Sequence, residues 1–425
     1  MPALPSFGVY VHVPFCARRC GYCDFNTYTA ADLGGGASQA AFADLAIREM
    51  TLARAALLSK PDAGGLVPAL GASWAELQWA ERPAQTVFFG GGTPTVLPAG
   101  DLVRLLQAVR DAWGLAGGAE VTTEANPESV DRSYLEALAS GGFTRVSFGM
   151  QSSSARVLAA MGRSHQPEQV AAAVGWARDV GLAVSVDLIY GAPGESMADW
   201  AASLAAGLAL GVDHISCYAL TIEPGTPLGR ALATGQVAGP SDEALADKYE
   251  LADQLLGAAG LAWYEISNWA VPGAECRHNL GYWQGGEWWG IGPGAHSAIG
   301  PARFWNVAHP RDYAEALQVG RLPIDSGELV TGQAANLERI MLGLRLNDGL
   351  PLAALAGSGA GHSKDRGQDR AQRQGDCQGE IPDEVRAGIG QLVADGLIDE
   401  VGDVIRLTRR GRLLADVVTR ALSGG

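Results

Sequence analysis

Hydrophobic and polar residues follow two alternating patterns along the first half of this 425-residue chain. Phe7–Val13 alternates and is rich in valine, which predicts a strand. Ala40–Leu58 instead carries a helical stripe of apolar residues. Thr86–Phe89 and Asp101–Trp113 repeat this order of strand and helix. The alternation predicts an α/β protein.

The same pattern continues through four further β-rich runs, Val121–Glu124, Arg145–Met150, Ala183–Tyr190 and His214–Leu220. Amphipathic stretches accompany these runs, at Ser133–Ser140, Gln166–Val180 and Asp199–Leu210. Repeated strand–helix units form a parallel sheet with helices outside it. About six units fit between residues 6 and 260, so we predict a partial (β/α)6 barrel over residues 1–260.

Polar and glycine-rich segments come directly after the predicted strands. Gly90-Gly91-Gly92-Thr93-Pro94 follows the second strand, and Glu124-Ala125-Asn126-Pro127 ends the third. The later strands end near Gln151, Asp187 and Ala219. Because active sites of barrels lie at the C-terminal ends of the strands, we expect all these residues to meet at one mouth. The glycine turn read alone fits a tight bend equally well.

Asp187 is a carboxylate in an otherwise apolar run, Val184-Ser185-Val186-Asp187-Leu188-Ile189. Burying such a group unpaired is costly, so we expect a ligand or Arg163 as its partner. Glu124 is predicted to contact a polar ligand, with an N-cap or a surface charge as the alternatives. Carboxylates of this kind suit ribose hydroxyls.

Three cysteines, Cys16, Cys20 and Cys23, lie in one short loop after the first strand, and Tyr22 precedes the last of them. The spacing Cys-x3-Cys-x2-Cys can direct three thiolates at three corners of a cubane iron–sulfur cluster. Cubane clusters usually take four cysteines, and no fourth lies nearby. One iron is therefore expected to stay open to a ligand from outside the protein, as at a reactive metal site.

Two other interpretations of the cysteines are open. A disulfide is disfavoured because the N-terminus shows no basic start and no long apolar run, so no secretory signal is expected. Structural zinc requires a closed site with four ligands, for which His12 is a candidate fourth. The cluster remains the favoured prediction.

Composition narrows the class of protein further. Apolar residues make up 47% of the chain, but no run is long enough to cross a bilayer. The formal net charge of −15 argues against a nucleic-acid partner, which requires basic patches. These features predict a soluble cytoplasmic protein.

Tyr10-Val11-His12-Val13-Pro14-Phe15-Cys16, the cysteine spacing and the Gly-Gly-Gly-Thr-Pro turn together resemble the radical S-adenosylmethionine superfamily. The similarity runs from Tyr10 to about Arg345. Within the superfamily the chain resembles the branch that contains oxygen-independent coproporphyrinogen III oxidase (dehydrogenase) of porphyrin biosynthesis and the HemW-type heme chaperones.

The resemblance implies a [4Fe-4S] cluster on Cys16, Cys20 and Cys23, with S-adenosylmethionine on the open iron. An electron from the cluster would cleave the cofactor to methionine and a 5′-deoxyadenosyl radical. The electron donor expected is a carrier such as flavodoxin or ferredoxin. Matched motif positions imply a cofactor pocket lined by Tyr10, Tyr22, Gly91, Gly92, Thr93, Glu124, Gln151, Arg163, Asp187 and Ala219.

Two departures favour the chaperone branch. The dehydrogenase family carries a fourth cysteine two positions after the third, where this chain has Phe25. It also has a long N-terminal extension, whereas Cys16 lies near the start here. Whether the chain is an enzyme stays open, and coproporphyrinogen oxidation is disfavoured.

A further segment resembles the heme-associated His-Asn-x-x-Tyr-Trp pattern of the chaperone branch, at His278-Asn279-Leu280-Gly281-Tyr282-Trp283. Histidine is a usual axial ligand of heme iron, and the two aromatic rings would pack on the macrocycle. We expect His278 in an exposed loop, with Cys276 as an alternative ligand. The implied partners are heme and heme-accepting respiratory proteins, with possible peripheral contact to a membrane.

The rest of the chain predicts smaller units. Residues 261–345 are expected to extend the barrel and carry the heme-motif loop. Residues 346–425 are expected to form an α+β accessory domain resembling a winged helix. Segments 60–83 and 357–382 are rich in small and polar residues and are predicted to be flexible insertions.

Overall fold

The computed structural model describes residues 6–58, 66–67, 72–73, 81–356 and 381–423. The two predicted insertions lie for the most part outside these residues. The chain divides into two compact units. One comprises Met1–Trp263, Ser267–Tyr282 and Gly286–Val330, and the other comprises Tyr264–Ile266, Trp283–Gly285 and Thr331–Gly425. The domain boundaries placed at residues 260 and 345 stay predictions.

Strands and helices alternate along most of the chain. As far as Leu329 the strands are β1 (Phe7–Val13), β2 (Leu66–Val67), β3 (Ala72–Ser73), β4 (Ala84–Gly91), β5 (Leu115–Ala125), β6 (Arg145–Gln151), β7 (Ala183–Tyr190), β8 (His214–Ala219), β9 (Ala262–Glu265), β10 (Asn268–Ala270), β11 (Glu287–Ile291), β12 (His296–Ile299), β13 (Ala302–Asn306) and β14 (Ile324–Leu329). The helices over the same stretch are α1 (Phe42–Leu58), α2 (Ala99–Trp113), α3 (Arg132–Gly141), α4 (Ala155–Ala160), α5 (Pro167–Asp179), α6 (Met197–Ala209), α7 (Pro227–Ala233), α8 (Asp242–Ala258), α9 (Arg277–Trp283) and α10 (Pro310–Gln318).

The main sheet has the strand order β14-β13-β12-β11-β1-β4-β5-β6-β7-β8-β10-β9. Strands β1 and β4 to β8 pair in parallel with their neighbours along the chain. Strand β11 adds in parallel to the other side of β1, and β12 to β14 continue from it antiparallel. The predicted α/β fold with a partial (β/α)6 barrel is confirmed.

Side chains alternate across each barrel strand. Val186 of β7 and Ile215 of β8 lie within van der Waals reach of α6, next to Gly207. Ser185 and Asp187 therefore point to the opposite, inner face of the sheet. Closed barrels fill this interior with branched apolar side chains. Here the inner face carries a polar set, Thr86, Glu120, Thr122, Glu124, Arg145, Ser147, Ser185, Asp187, His214 and Ser216.

The C-terminal unit is α+β, as predicted. Its elements are α11 (Gly332–Leu344), β15 (Leu350–Pro351), α12 (Asp383–Ala394), β16 (Ile398–Val401), β17 (Val404–Leu407), α13 (Arg409–Leu413) and α14 (Ala415–Leu422). The three strands form an antiparallel sheet in the order β15-β17-β16. Ile340, Ile389, Ile405 and Val418 are among the residues of its core. Across the described ranges, every helix falls short of the length and apolarity that a bilayer span requires.

A buried carboxyl group on α1 joins distant parts of the barrel unit. Glu49 accepts hydrogen bonds from the backbone N–H of Gly292 (2.8 Å), from Asn306 Nδ2 (2.7 Å) and from the Tyr313 hydroxyl (2.6 Å). Burial raises the pKa of Glu49 to about 7, although these hydrogen bonds oppose the shift. Glu49 therefore ties α1 to the segment after β11, to β13 and to α10.

We predict that Glu49→Gln removes part of the pH dependence of stability. The native state holds a proton that the unfolded chain releases above about pH 4.5, so stability falls as the pH rises towards about 7. Glutamine does not titrate, so this fall should disappear from urea midpoints measured between about pH 5 and 8. The variant should also lose about 1 kcal/mol near pH 5, because the amide nitrogen accepts no hydrogen bond. An unchanged slope would contradict the assignment.

Candidate cofactor site at the mouth of the barrel

The segment that follows β1 carries the three cysteines and is fixed by backbone hydrogen bonds. The Cys16 N–H donates to the carbonyl of Tyr28 (3.0 Å). In the middle of the loop, the Gly21 N–H donates to the carbonyl of Met161 (2.9 Å), and the Gly21 carbonyl accepts from the Leu228 N–H (2.8 Å). The loop is therefore held at its start, its middle and its end.

Asn26 connects the end of this loop to the far part of the barrel unit. Its Nδ2 donates to the carbonyls of Pro293 (3.0 Å) and Ala308 (2.7 Å). Its carbonyl accepts from His12 Nε2 (3.0 Å), so His12 Nδ1 accepts from the Tyr10 hydroxyl (3.1 Å). Both ring nitrogens of His12 are occupied, and this geometry does not favour His12 as a fourth cluster ligand.

The three thiols are free and partly exposed, and each has a different polar neighbour. Thr93 Oγ1 donates to Cys16 Sγ (3.6 Å), and Arg163 Nη1 donates to Cys20 Sγ (3.4 Å). Cys23 Sγ lies 4.0 Å from the hydroxyl of Thr27.

The arrangement of the thiols bears on the choice between a single ion and a cluster. Among the described residues, no three His, Cys, Asp or Glu side chains converge on one ion. A zinc ion needs its ligands within about 2.3 Å, whereas a cubane takes one thiolate at each of several corners. Three separate thiols with hydrogen-bond donors beside them fit the cluster better than zinc.

A chain of polar side chains connects two of the cysteines. Asn126 Nδ2 donates to Thr93 Oγ1 (3.1 Å), and Asn126 Oδ1 accepts from Arg163 Nη2 (2.7 Å). Since Thr93 contacts Cys16 and Arg163 contacts Cys20, these hydrogen bonds connect one thiol to the other. We call Thr93, Asn126 and Arg163 the relay. The sequence pattern placed Asn126 at the mouth of the barrel but did not predict its link to the two cysteines. The available signal was its position directly after the strand end that carries Glu124.

The glycine turn after β4 packs directly on the cysteine loop. The Gly92 N–H donates to the carbonyl of Val13 (2.8 Å), and the Thr93 N–H donates to that of Phe15 (2.8 Å). A Cβ at Gly92 would lie 2.5 Å from the carbonyl oxygen of Phe15, so only glycine permits this approach. Gly91 has φ +104° and donates its N–H to Glu124 Oε2 (3.2 Å). The turn is thus both a tight bend and a support for the loop.

Glu124 and Asp187 face the barrel interior, and each is half-buried. Burial, and then the negative charge of Asp187, raise the pKa of Glu124 to about 8. Burial also raises the pKa of Asp187, although hydrogen bonds from Ser216 and Ser147 (2.9 Å) oppose the shift. The hydrogen-bond partners of Asp187 are thus serines, and Arg163 acts on it only electrostatically. Two such carboxyl groups can accept hydrogen bonds from ligand hydroxyls.

Gln151 ends β6 in a strained conformation. Its φ of +61° is the one positive value among non-glycine residues in the described ranges. The pairing register with β7 shifts between Phe148 and Gln151, which marks a bulge. Its Oε1 is buried and has no hydrogen-bond partner within the part of the chain that is described. Strain and an unpaired buried acceptor together indicate a ligand contact at this position.

The remaining predicted cofactor residues lie in different surroundings. Tyr10 is half-buried on the inner face, next to Phe88 of β4, and burial raises its pKa well above the usual value. Tyr22 packs against an apolar cluster that includes Val157 and Met161, and so holds the cysteine loop in place. Ala219 is exposed at the end of β8.

The structure corrects the expectation for His278. It lies on helix α9 rather than in a loop, and only 4% of it is exposed. Its Nδ1 is 2.8 Å from the Thr86 hydroxyl and its Nε2 is 2.8 Å from the Tyr282 hydroxyl. Burial lowers its pKa to about 3. The ring also stacks on Phe88, with centroids 5.3 Å apart. In this conformation neither ring nitrogen is open to a metal.

Helix α9 begins here because of a distant carboxylate. The backbone N–H groups of Arg277 and His278 both donate to Glu120 of β5, each at 3.0 Å. A carboxylate satisfies the unpaired N–H groups of a helix start. Cys276 is buried and contacts the same carboxylate (3.6 Å), so the alternative thiol ligand is covered as well.

Comparison with known proteins agrees with this geometry. Residues 10–206 match the Radical SAM superfamily, which is the class of protein that the barrel and its cysteine loop define. The heme chaperone HemW of Mycobacterium tuberculosis is 47% identical over 100% of this chain and 96% of that protein. The heme chaperone HemW of Escherichia coli is 30% identical over 97% of each. This chain belongs to the heme chaperone HemW family of radical SAM proteins.

A solved structure shows the same fold. Coproporphyrinogen III oxidase (HemN) from Escherichia coli superposes with a TM-score of 0.76 over 99% of this chain and 90% of that chain. The sequence identity is 21%, so this similarity concerns the fold alone. The radical SAM superfamily itself implies a [4Fe-4S] cluster and S-adenosylmethionine.

We predict that Asn126→Ala lowers the midpoint potential of a reconstituted cluster. Without Asn126, the hydroxyl of Thr93 and the guanidinium of Arg163 lose their shared anchor beside Cys16 and Cys20. Weaker donation to the thiolates disfavours the more negative, reduced state. A loss of about 1 kcal/mol corresponds to roughly 40 mV for one electron. Redox titration followed by electron paramagnetic resonance measures the shift.

The matched control for this prediction is Asn336→Ala. Asn336 also accepts a hydrogen bond from an arginine, Arg339, but this bond is exposed to solvent on helix α11. The midpoint potential of the cluster in this variant should equal that of the wild type. Equal potentials in all three proteins would show that the relay does not influence the cluster.

Proposed function

We propose that this chain binds heme and transfers it to heme-requiring proteins, while a [4Fe-4S] cluster keeps one iron open for S-adenosylmethionine. The observation that carries the proposal is the 47% identity to a heme chaperone over 96% of that protein's length. Phe25, which is 60% exposed, supports the same choice. It stands where the dehydrogenase branch has a further cysteine.

In this proposal Cys16, Cys20 and Cys23 hold the cluster, and Tyr22 fixes their loop. When bound, the reduced cluster supplies the electron that cleaves the sulfonium carbon–sulfur bond of the cofactor. The protein orients that cofactor from the inner face of the barrel and from the segments that follow its strands. The residues involved are Tyr10, Gly91, Gly92, Thr93, Glu124, Gln151, Arg163, Asp187 and Ala219. The polar inner face of the barrel supplies acceptors for its hydroxyl and amino groups.

We further propose the partners of this function. Arg18 and Arg19 are exposed in the cysteine loop of a chain whose formal net charge is −15. A local cationic patch of this kind favours an electron carrier with an acidic docking surface, such as a flavodoxin or ferredoxin. Clustered reduced thiols suit the cytoplasm. Respiratory heme proteins are the proposed acceptors, and peripheral membrane contact would bring the carrier close to them.

We predict that Glu124→Gln and Asp187→Asn each weaken the binding of S-adenosylmethionine. Each change replaces a carboxyl oxygen on the inner face by an amide nitrogen, which accepts no hydrogen bond, and a loss of about 1.4 kcal/mol corresponds to roughly tenfold in Kd. Equilibrium dialysis of the cluster-loaded protein measures the affinity. Asp179→Asn, at an exposed carboxylate of α5, is the control. Unchanged affinity in both inner-face variants, with the cluster intact, would refute this assignment.

We predict that anaerobically reconstituted protein binds heme and does not convert coproporphyrinogen III. Heme titration followed by the Soret band measures the first property. Incubation with coproporphyrinogen III, S-adenosylmethionine and a reductant measures the second. Formation of protoporphyrinogen at a catalytic rate would replace the chaperone function with the oxidase. Absence of saturable heme binding by cluster-loaded protein would also overturn the proposal.

A further inference from the structure

His296, on the part of the main sheet that extends beyond β1, is exposed to solvent, whereas His278 is buried. His296 opens β12 opposite Trp305 of β13, and the two rings stack with centroids 5.5 Å apart at 27°. The side chain of His296 is exposed. Neither of its ring nitrogens has a hydrogen-bond partner among the residues that the structure describes. Partial burial lowers its pKa, so the imidazole is neutral at neutral pH, the form that binds iron.

His296 faces the same side of the sheet as the proposed cofactor pocket. In the parallel pair of β1 and β11, Tyr10 lies opposite Gly290, so Trp288 shares the inner face with Tyr10. Trp288 in turn lies opposite Ala298, two residues from His296 on the same face of β12. The rings of Trp288, His296 and Trp305 therefore continue the inner face beyond β1.

These rings form a connected surface that also includes Tyr282. The ring of Tyr282 meets Trp288 edge to face, with centroids 4.6 Å apart. Trp288 Nε1 donates to the carbonyl of His296 (3.0 Å). We call Tyr282, Trp288, His296 and Trp305 the aromatic wall. A flat, largely apolar macrocycle gains from edge-to-face as well as stacked contacts with rings of this kind.

The other histidines in the described ranges are occupied or covered. His12, His165 and His214 are buried. His309 is exposed, but its Nδ1 caps helix α10 by accepting from the Arg311 N–H (3.2 Å). Both ring nitrogens of His278 form hydrogen bonds, one with the Thr86 hydroxyl and the other with the Tyr282 hydroxyl. Of the histidines that the structure describes, only His296 combines an exposed ring, two free nitrogens and an aromatic support.

We propose that His296 is the axial ligand of heme iron, with Trp305 supporting the imidazole ring and the aromatic wall lying alongside the macrocycle. This inference rests on the proposed heme-binding function and specifies its site. His278 then stabilises the aromatic wall, because its Nε2 forms a hydrogen bond with the Tyr282 hydroxyl. Arg303 lies two positions from Trp305 on the same face of β13. At this position its guanidinium group is suited to bind a heme propionate.

The test compares heme binding by variants of the full chain with the cluster in place. His296→Ala should weaken heme binding by roughly tenfold or more and remove the spectroscopic signature of histidine ligation. His296→Cys should restore binding with the spectrum of thiolate ligation, because the new ligand occupies the same position. Soret titration and magnetic circular dichroism report affinity and ligand identity separately. The control is His309→Asn, which keeps a good helix N-cap and should bind heme as the wild type does.

Two further variants test His278 directly. His278→Ala should retain histidine ligation of the iron, although its stability will fall. Should it fail to fold, Thr86→Val removes the hydrogen-bond partner of His278 Nδ1 and leaves the ring in place. We expect an unchanged heme spectrum in that variant. Wild-type affinity and ligation in His296→Ala would overturn this inference and leave the proposed function intact. Absence of heme binding in the wild type would overturn both.

Discussion

The alternation of side chains on six parallel strands is the constraint on which the site depends. Strands of a parallel sheet have both faces covered in most proteins, and read as continuous apolar runs. In β7, however, Val184 and Val186 alternate with Ser185 and Asp187. The valines pack on helices, so the serine and the carboxylate must face inward. A shift of one residue in any strand would exchange the two sets and destroy both core and pocket.

The cysteines are ordered by this frame rather than by their own loop. Thr93 reaches one thiol from the turn after β4, Arg163 reaches another from the segment between α4 and α5, and Asn126 joins them from the end of β5. Groups that hydrogen-bond to metal ligands fix their orientation and influence the potential of the metal. The mouth of the barrel therefore supplies the electrostatic surroundings, while the loop supplies only the sulfur atoms.

Much of this could be predicted from the sequence, because the signals are local. The observed bounds of β1 and β7 equal the predicted ones, since alternation is strong in both. The position of His278 was predicted wrongly for the opposite reason. Its helix starts on the carboxylate of Glu120, which lies more than 150 residues earlier, and no local pattern reports that contact. Glu49 escaped notice in the same way, and Asn126 was expected at the mouth without its partners, because the partners of both residues come from distant segments.

The anchoring of Asn26 has a consequence for the order in which the molecule is made. Its amide binds carbonyls at residues 293 and 308, which the ribosome supplies long after the cysteines have emerged. Contacts between such distant segments form late in folding. The cysteine loop therefore lacks this anchor until residue 308 has been synthesised. Delivery of iron and sulfide is therefore best suited to the finished chain, in which the loop has this anchor.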